Sequence, residues 1–157
     1  MNVFLDAPSD FENICGISRT LETLGIERCY VYDPNRLIRP TYGKSRTARI
    51  KTVSTGAFFH VCFERVTEPE TVLKNLPGRK IATVPDQSAT LLTNFAFRPD
   101  DNLIFGSEGF GIHPELLKLC DERVTIPQLG TTQSLNLSVA TGIVLFEFLR
   151  QAGTSQA

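Results

Sequence analysis

Residues 130–140 read GTTQSLNLSVA, and TGIVLFEFLRQ follows directly at 141–151. The second segment is apolar around most of its circumference and predicts a helix over 134–151. A helix N-terminus needs one capping oxygen from Ser, Thr, Asp or Asn. This stretch offers far more hydroxyl and amide groups than one cap requires, and the excess indicates a site at the start of the last helix.

The composition is that of an ordinary globular protein. The 157 residues are 41% hydrophobic and 21% charged, with a net charge of −1, so we expect one domain over 1–151 and a disordered tail over 152–157. Four cysteines without a CxxC pair and two histidines argue against a metal site and favour free, buried thiols in a reducing compartment. The chain shows no signal peptide and no membrane-spanning run. We therefore expect a cytoplasmic protein.

Short apolar runs alternate with helical patterns along the whole chain. This alternation predicts an α/β fold with a largely parallel sheet flanked by helices. The last helix is apolar enough to be buried between the sheet and another surface, such as a partner subunit. Strands are predicted at 2–5, 28–32, 58–63, 80–84, 102–105 and 124–126, and helices at 14–24, 69–76, 114–119 and 134–151.

Three loops are the expected ligand sites, because open α/β sheets bind ligands beyond the carboxyl ends of their strands. They follow Val84, Phe105 and Ile126, and the second reads GSEGFG at 106–111. Three glycines in six residues allow a close approach of backbone to a ligand, but the spacing is not the GxGxxG of dinucleotide-binding proteins. No Ser-His-Asp set, HExxH or P-loop is present.

A basic segment lies between 36 and 51 and contains no acid. It can bind phosphate groups even though the whole chain is nearly neutral, or it can be a solvated surface. From the residues alone we interpret the chain as having a pocket of glycines, amides and hydroxyls beside this strip, suited to group transfer onto a polyanion. The basic residues are Arg36, Arg39, Lys44, Arg46, Arg49 and Lys51.

Three segments together resemble the motifs of the SpoU/TrmH family of SPOUT methyltransferases. They read NICGISRT at 13–20, LIFGSEGFG at 103–111 continuing to Ile126-Pro127, and SLNLSVA at 134–140. The resemblance implies an S-adenosyl-L-methionine (AdoMet)-dependent RNA methyltransferase that acts most often on a ribose 2′-hydroxyl. It also implies a deep C-terminal trefoil knot, which general topology rules would not predict, and a homodimer with the site near the interface.

The resemblance also implies roles for individual residues. Arg19 would be the central catalytic residue, positioning the ribose hydroxyl together with an RNA phosphate and stabilising the developing alkoxide; which of the two accepts the proton stays open. Asn13, Glu108, Ser134 and Asn136 complete the catalytic set. The cofactor set is Thr83, Val84, Gly106, Ser107, Glu108, Gly109, Ile126, Gln128, Ser134, Leu135 and Asn136.

Two positions depart from the family pattern. Gln128 stands where many members have Met, and Cys15-Gly16 stands where Gly-Ala is common. The first change alters one edge of the implied pocket, whereas the second exchanges small residues that pack alike. With no separate RNA-binding domain evident, the strip at 36–51 becomes the expected RNA-contacting surface.

Several functions stay open at this point. The favoured one is 2′-O-methylation of tRNA, with rRNA as another substrate. Base methylation by the same fold is the runner-up, and a non-catalytic RNA-binding module is the alternative from another class. An ordinary doubly wound nucleotide-binding enzyme is disfavoured by the absent GxGxxG.

Overall fold

A seven-stranded sheet forms the centre of the computed structural model, which describes residues 1–153. The strand order is β3-β2-β1-β6-β4-β7-β5, and all neighbouring strands run parallel. The α/β class with a parallel sheet is thus confirmed. The strands are β1 (Asn2–Asp6), β2 (Arg28–Tyr32), β3 (Cys62–Val66), β4 (Lys80–Thr83), β5 (Thr90–Leu91), β6 (Asn102–Phe105) and β7 (Glu122–Thr125).

Helices cover both faces of the sheet. They are α1 (Phe11–Thr23), α2 (Lys44–Ser54), α3 (Pro69–Asn75), α4 (Pro114–Leu117) and α5 (Leu137–Ala152). Alternate residues of the central strands enter two separate cores, as the pleat requires. Leu5 and Phe105 belong to the larger core, which also contains residues of α1 and α5. Phe4 and Ile104 belong to the smaller core, which includes residues of α3 and α4.

Helices α1 and α5 approach closely because small residues face each other. A Cβ added to Gly16 would lie 3.1 Å from Ser138 Cβ, so the neighbour would have to yield before a side chain fitted there. Each helix has a side-chain cap: Asp10 accepts from Glu12 N at 2.8 Å, and Asn136 accepts from Ser138 N at 2.9 Å. The two helix starts lie in the same region of the fold, where Asn136 Nδ2 donates to Asn13 Oδ1 at 2.8 Å.

The predicted third strand was wrong in position. Residues 57–59 form a 3₁₀ turn, and the strand begins only at Cys62. Phe58 instead packs in an aromatic cluster with Phe11 and Phe63, at centroid distances of 5.5 and 5.2 Å. The apolar run therefore fills the core beside α1 before the chain enters the sheet.

The last helix is also shorter at its start than predicted. It begins after the cap at Asn136, so 134–136 precede the helix. At the other end Ala152 is still helical and Gly153 ends the helix in the left-handed region with φ 67°, which corrects the tail predicted from 152; residues 154–157 lie outside the described residues.

The cysteines, the membrane-spanning helices and the knot were also the subject of sequence-based expectations. All four cysteines are free, as expected, but only Cys15 and Cys29 are buried. Cys120 is half-buried, and Cys62 is exposed because it lies on β3 at the edge of the sheet. Within residues 1–153 no helix has both the length and the apolar character needed to cross a membrane. The strand order does not define how the chain threads, so the trefoil knot stays a prediction.

Candidate cofactor and catalytic site

A pocket of about 480 Å³ opens at the carboxyl ends of β4, β6 and β7. Its wall is formed by the end of β4, the 106–112 loop, the segment after β7 and the residues leading into α5. The structure thus brings together loops that are far apart in sequence. Ten of the eleven residues expected to bind a cofactor line this pocket: Thr83, Val84, Gly106, Ser107, Glu108, Gly109, Ile126, Gln128, Ser134 and Leu135. The eleventh, Asn136, lies outside the lining.

The 106–111 loop is a tight turn closed by backbone hydrogen bonds. Ser107 N donates to Gly111 O at 2.9 Å, and Gly111 N donates to Ser107 O at 3.0 Å. A Cβ on Gly106 would lie 2.1 Å from Gly111 C, so no side chain fits at that position. Gly111 has φ 69°, in the left-handed region that favours glycine. These glycines bring the backbone itself to the wall of the pocket.

Glu108 is held by donors from the segment before α1 and from the first turn of α1. Ser9 donates to its Oε2 from the backbone nitrogen at 2.9 Å and from the hydroxyl at 2.7 Å. Asn13 Nδ2 donates to its Oε1. Burial acts to raise the pKa of Glu108, but the hydrogen bonds from Asn13 and Ser9 outweigh it and hold that pKa below its usual value. The carboxylate is therefore a fixed negative group beside the pocket at neutral pH.

Asn136 extends this chain of hydrogen bonds to α5. Its Nδ2 donates to Asn13 Oδ1 at 2.8 Å, while its Oδ1 accepts from the backbone nitrogen and the hydroxyl of Ser138 at 2.9 and 2.7 Å. Every amide therefore has one defined orientation, from Glu108 through Asn13 to the start of α5. We name these three side chains, Glu108, Asn13 and Asn136, the carboxylate–amide chain.

The pocket fits a polar cofactor of the size of AdoMet. Its volume lies within the range of small-molecule sites. Thr83 Oγ1, in the lining, is buried without a hydrogen-bond partner among the described residues, and a buried hydroxyl of this kind calls for a polar ligand atom. The side-chain amide of Gln128 is satisfied only when it is oriented with its nitrogen toward the carbonyl oxygens of Thr132 and Gln133, to which it then donates at 3.1 and 3.3 Å.

Two other predicted catalytic residues are placed differently. Ser134 is exposed at the rim and makes no side-chain hydrogen bond with residues 1–153. Arg19 is exposed and lies outside the cofactor pocket of its own chain. It lines a shallow hollow beside α5 with Thr20, Gly142 and Phe146. Asn13 and Arg19 therefore do not meet at one site within a single chain.

The basic residues lie on α2 and the loop before it. Arg46 stacks over the rings of Phe11 and Tyr42, at 4.8 and 5.4 Å from their centroids, and Arg49 pairs with Glu12. These contacts dock α2 onto the first turn of α1. All six basic side chains are exposed. Within residues 1–153, Arg36, Arg39, Lys44 and Lys51 form no ion pair.

Comparison with known proteins identifies the family of this arrangement. A model of the SpoU rRNA methylase family matches residues 1–146. The chain belongs to the SpoU rRNA methylase family. The resemblance seen in the three sequence motifs is thus confirmed.

Individual SpoU relatives match over nearly the whole chain. A tRNA (guanosine(18)-2′-O)-methyltransferase of Aquifex aeolicus is 30% identical over 95% of this chain and 68% of that protein. A 23S rRNA (guanosine-2′-O-)-methyltransferase of Acinetobacter baylyi is 30% identical over 94% of this chain and 58% of that protein. This SpoU chain therefore spans about two thirds or less of these relatives.

Solved structures give the same result. The A. aeolicus TrmH/SpoU tRNA modifying enzyme superposes with a TM-score of 0.80 at 29% identity, covering 96% of this chain and 74% of that chain. The SpoU methyltransferase AviRb from Streptomyces viridochromogenes, in complex with AdoMet, gives 0.79 at 26% identity, with 99% and 61% covered.

One residue of the site was missed by sequence reasoning. Ser9 supplies two of the hydrogen bonds to Glu108, yet it belongs to none of the motifs or loops that the sequence indicates as a site. The available signal was its position. It follows a strand at the same sheet edge as the three candidate loops, where ligand-site residues concentrate.

Proposed function

We propose that this chain transfers the methyl group of AdoMet to a ribose 2′-hydroxyl of RNA, with tRNA as the favoured substrate, and that it works in the cytoplasm. The observation that carries the proposal is the carboxylate–amide chain beside a pocket lined by the cofactor residues. AdoMet supplies a methyl group activated on a sulfonium. The protein then has to hold the cofactor, bring one hydroxyl into line with the methyl group and assist loss of the hydroxyl proton.

Each part of the proposed site has a defined task. The backbone of the 106–111 loop and Thr83 hold the cofactor. The carboxylate–amide chain fixes the position of the start of α5 relative to the 106–111 loop, so the pocket keeps its shape. Arg19, with an RNA phosphate, positions the ribose hydroxyl and stabilises the negative charge that develops on its oxygen.

The position of Arg19 requires a second subunit in this proposal. Asn13 and Arg19 are six residues apart on α1, which turns the helix through about 600°, so their side chains point about 120° apart. Arg19 shares its hollow with Phe146, which is 62% exposed and continues an apolar face formed by Val139 and Ile143. A two-fold dimer that packs this face would cover the apolar side chains and bring Arg19 near the partner's site.

The basic strip supports an RNA substrate of either kind, and the preference for tRNA comes from the relatives. The Aquifex relative is named for tRNA, although rRNA enzymes reach similar identity. The exposed basic residues on α2 and its preceding loop provide a surface for phosphates near the start of α1. Base methylation stays the competing reaction, and the nature of the product decides between them.

The first experiment is methyl transfer to unmodified bulk tRNA. Purified protein is incubated with methyl-labelled AdoMet, and the RNA is digested to nucleosides. We expect label in 2′-O-methyl nucleosides and its loss in Arg19→Ala. Label in base-methylated nucleosides would show that the reaction is base methylation. If tRNA took up no label and rRNA fragments in a parallel reaction did, the substrate would be rRNA. AdoMet and RNA binding without any transfer would favour a binding module.

A subunit-mixing experiment tests the dimer. Arg19→Ala and Asn136→Ala are each expected to be inactive alone. If Arg19 serves the partner's site, random mixing should restore roughly a quarter of the activity, because half of the dimers are mixed and each then has one complete site. No restoration, with subunit exchange verified by mass spectrometry, would place Arg19 and Asn136 in the same chain's site. Phe146→Asp should give a monomer in sedimentation analysis.

A further inference from the structure

Phe110 stands at the mouth of the cofactor pocket with its side chain in solvent. It is 96% exposed, yet it belongs to the pocket lining. Single exposed apolar residues are common on protein surfaces and need no explanation by themselves. The position of Phe110 is what separates it from such residues, because the rim of this pocket is where a substrate must approach the cofactor.

The loop presents Phe110 in a fixed position. Phe110 N donates to Ser107 Oγ at 3.2 Å, and the two backbone hydrogen bonds between Ser107 and Gly111 close the turn directly beneath it. Glu108, in the same turn, is fastened to Ser9 and Asn13. The aromatic ring is therefore carried on a braced turn, and little backbone ordering remains when a ligand contacts it.

The RNA substrate offers nucleobase faces as a partner for the Phe110 ring. A nucleotide that leaves regular stacking can bring its ribose hydroxyl to the cofactor pocket, and it then exposes the faces of its own base or of the neighbouring base. Unstacked bases are bound in RNA-recognising proteins by aromatic side chains. The braced, solvent-facing ring at the rim has the form of such a platform.

We infer that Phe110 is a substrate-positioning residue that stacks on a nucleobase next to the methylated ribose. This inference rests on the proposed RNA methylation and deepens it. The substrate is then a nucleotide in a loop or another unpaired region of the RNA. Stacking adds affinity that does not depend on a particular base, because every base has a π-face.

The test compares three replacements at Phe110 with one control elsewhere. Phe110→Ala removes the ring, Phe110→Leu keeps an apolar side chain without a π-face, and Phe110→Trp keeps a larger aromatic surface. Leu129→Ala is the matched control, because Leu129 is also fully exposed, at 101%, in a neighbouring loop but outside the pocket lining. Each protein is assayed for binding of AdoMet, binding of unmodified tRNA and methyl transfer.

Phe110→Ala and Phe110→Leu should both weaken tRNA binding, or raise the KM for tRNA, by about fivefold to a hundredfold. Phe110→Trp and Leu129→Ala should stay near wild type, and the Kd for AdoMet should not change in any of the four. With an RNA that carries 2-aminopurine beside the modified position, stacking on Phe110 should quench the fluorescence, and Phe110→Leu should relieve that quenching.

Three results would overturn the inference. Weaker AdoMet binding in Phe110→Ala would make the ring a cover for the cofactor. Loss of the dimer in that variant would make it an interface residue. Unchanged tRNA binding and KM in Phe110→Ala would leave it without a role in substrate binding. A wild-type protein that binds tRNA but transfers no methyl group would contradict the proposed function instead, and stacking would then be judged from the binding and fluorescence data alone.

Discussion

Replacing Asn136 with alanine tests whether the carboxylate–amide chain organises the site. In the structure Asn136 does two things at once. Its Oδ1 caps α5 by accepting from Ser138 N at 2.9 Å, and its Nδ2 donates to Asn13 Oδ1 at 2.8 Å. Asn136→Ala removes both interactions, whereas Asn136→Asp keeps a capping oxygen and removes only the donor.

The expected loss of stability follows from these two interactions. Removing an asparagine cap costs about 0.5–2 kcal/mol. Leaving Asn13 Oδ1 without its donor adds about 1 kcal/mol, the low end of the usual range because this hydrogen bond is only partly buried. We therefore expect Asn136→Ala to lower the free energy of unfolding by about 1.5–3 kcal/mol. Asn136→Asp should lose much less, since a carboxylate at a helix N-terminus is favourable by about 0.3–1 kcal/mol.

The two Asn136 variants should differ in stability but lose methyl transfer to a similar extent. In Asn136→Asp an acceptor faces Asn13 Oδ1, so Asn13 can satisfy the new carboxylate only by turning its amide nitrogen away from Glu108. Both variants should therefore lose most methyl transfer, although only the alanine variant loses much stability. That dissociation separates the orienting role of the side chain from its capping role.

The measurements are denaturant unfolding at a fixed protein concentration, AdoMet binding by calorimetry and methyl transfer to tRNA. The concentration is fixed because assembly contributes to apparent stability. Ser134→Ala is the stability control, as its exposed hydroxyl makes no hydrogen bond within residues 1–153, and it should stay within about 0.5 kcal/mol of wild type. Full methyl transfer by Asn136→Asp, or unchanged stability of Asn136→Ala, would refute the reasoning.

Three further predictions concern the same sheet edge and the thiols. Gly106→Ala should abolish AdoMet binding, because its Cβ would lie 2.1 Å from the loop backbone. Gly130→Ala, which has nothing within 4 Å and lies outside the pocket lining, should bind AdoMet normally in the same calorimetry. Because hydrogen bonds lower the pKa of Glu108, its contribution to stability is complete above its unfolded pKa and is lost as the pH falls through the folded value. Acid titration of unfolding should therefore show a step that Glu108→Gln removes, and a wild-type curve identical to that of the variant would contradict this. A thiol reagent at neutral pH should label exposed Cys62 first, whereas Cys15, whose pKa burial raises to about 11, should react only on unfolding, as peptide mapping would show.

The sequence predicted the sheet and its ligand-binding edge well, for a physical reason. Central parallel strands are buried on both faces and appear as short, continuous apolar runs, such as 102–105. The loops after them are recognisable from glycine and small polar residues. The strand predicted at 58–63 was wrong because a short run of consecutive apolar residues is compatible both with a buried strand and with a non-strand segment packed in the core. Here Phe58 packs among aromatic rings before the strand begins. The strand Thr90–Leu91 is only two residues long and leaves no periodic signal.

The catalytic set is where sequence reasoning and geometry separate. Asn13 and Arg19 belong to one motif on one helix, but six residues of helix direct them to different faces. Asn13 is buried against Glu108, and Arg19 is exposed beside the apolar face that includes Phe146. A sequence motif shows which residues occur together along the chain. It does not show in which subunit's site each residue acts. If both residues act in one reaction, as we propose, α1 must contribute Asn13 to its own site and Arg19 to another, and the uncovered face of α5 is the surface on which that second site would be built.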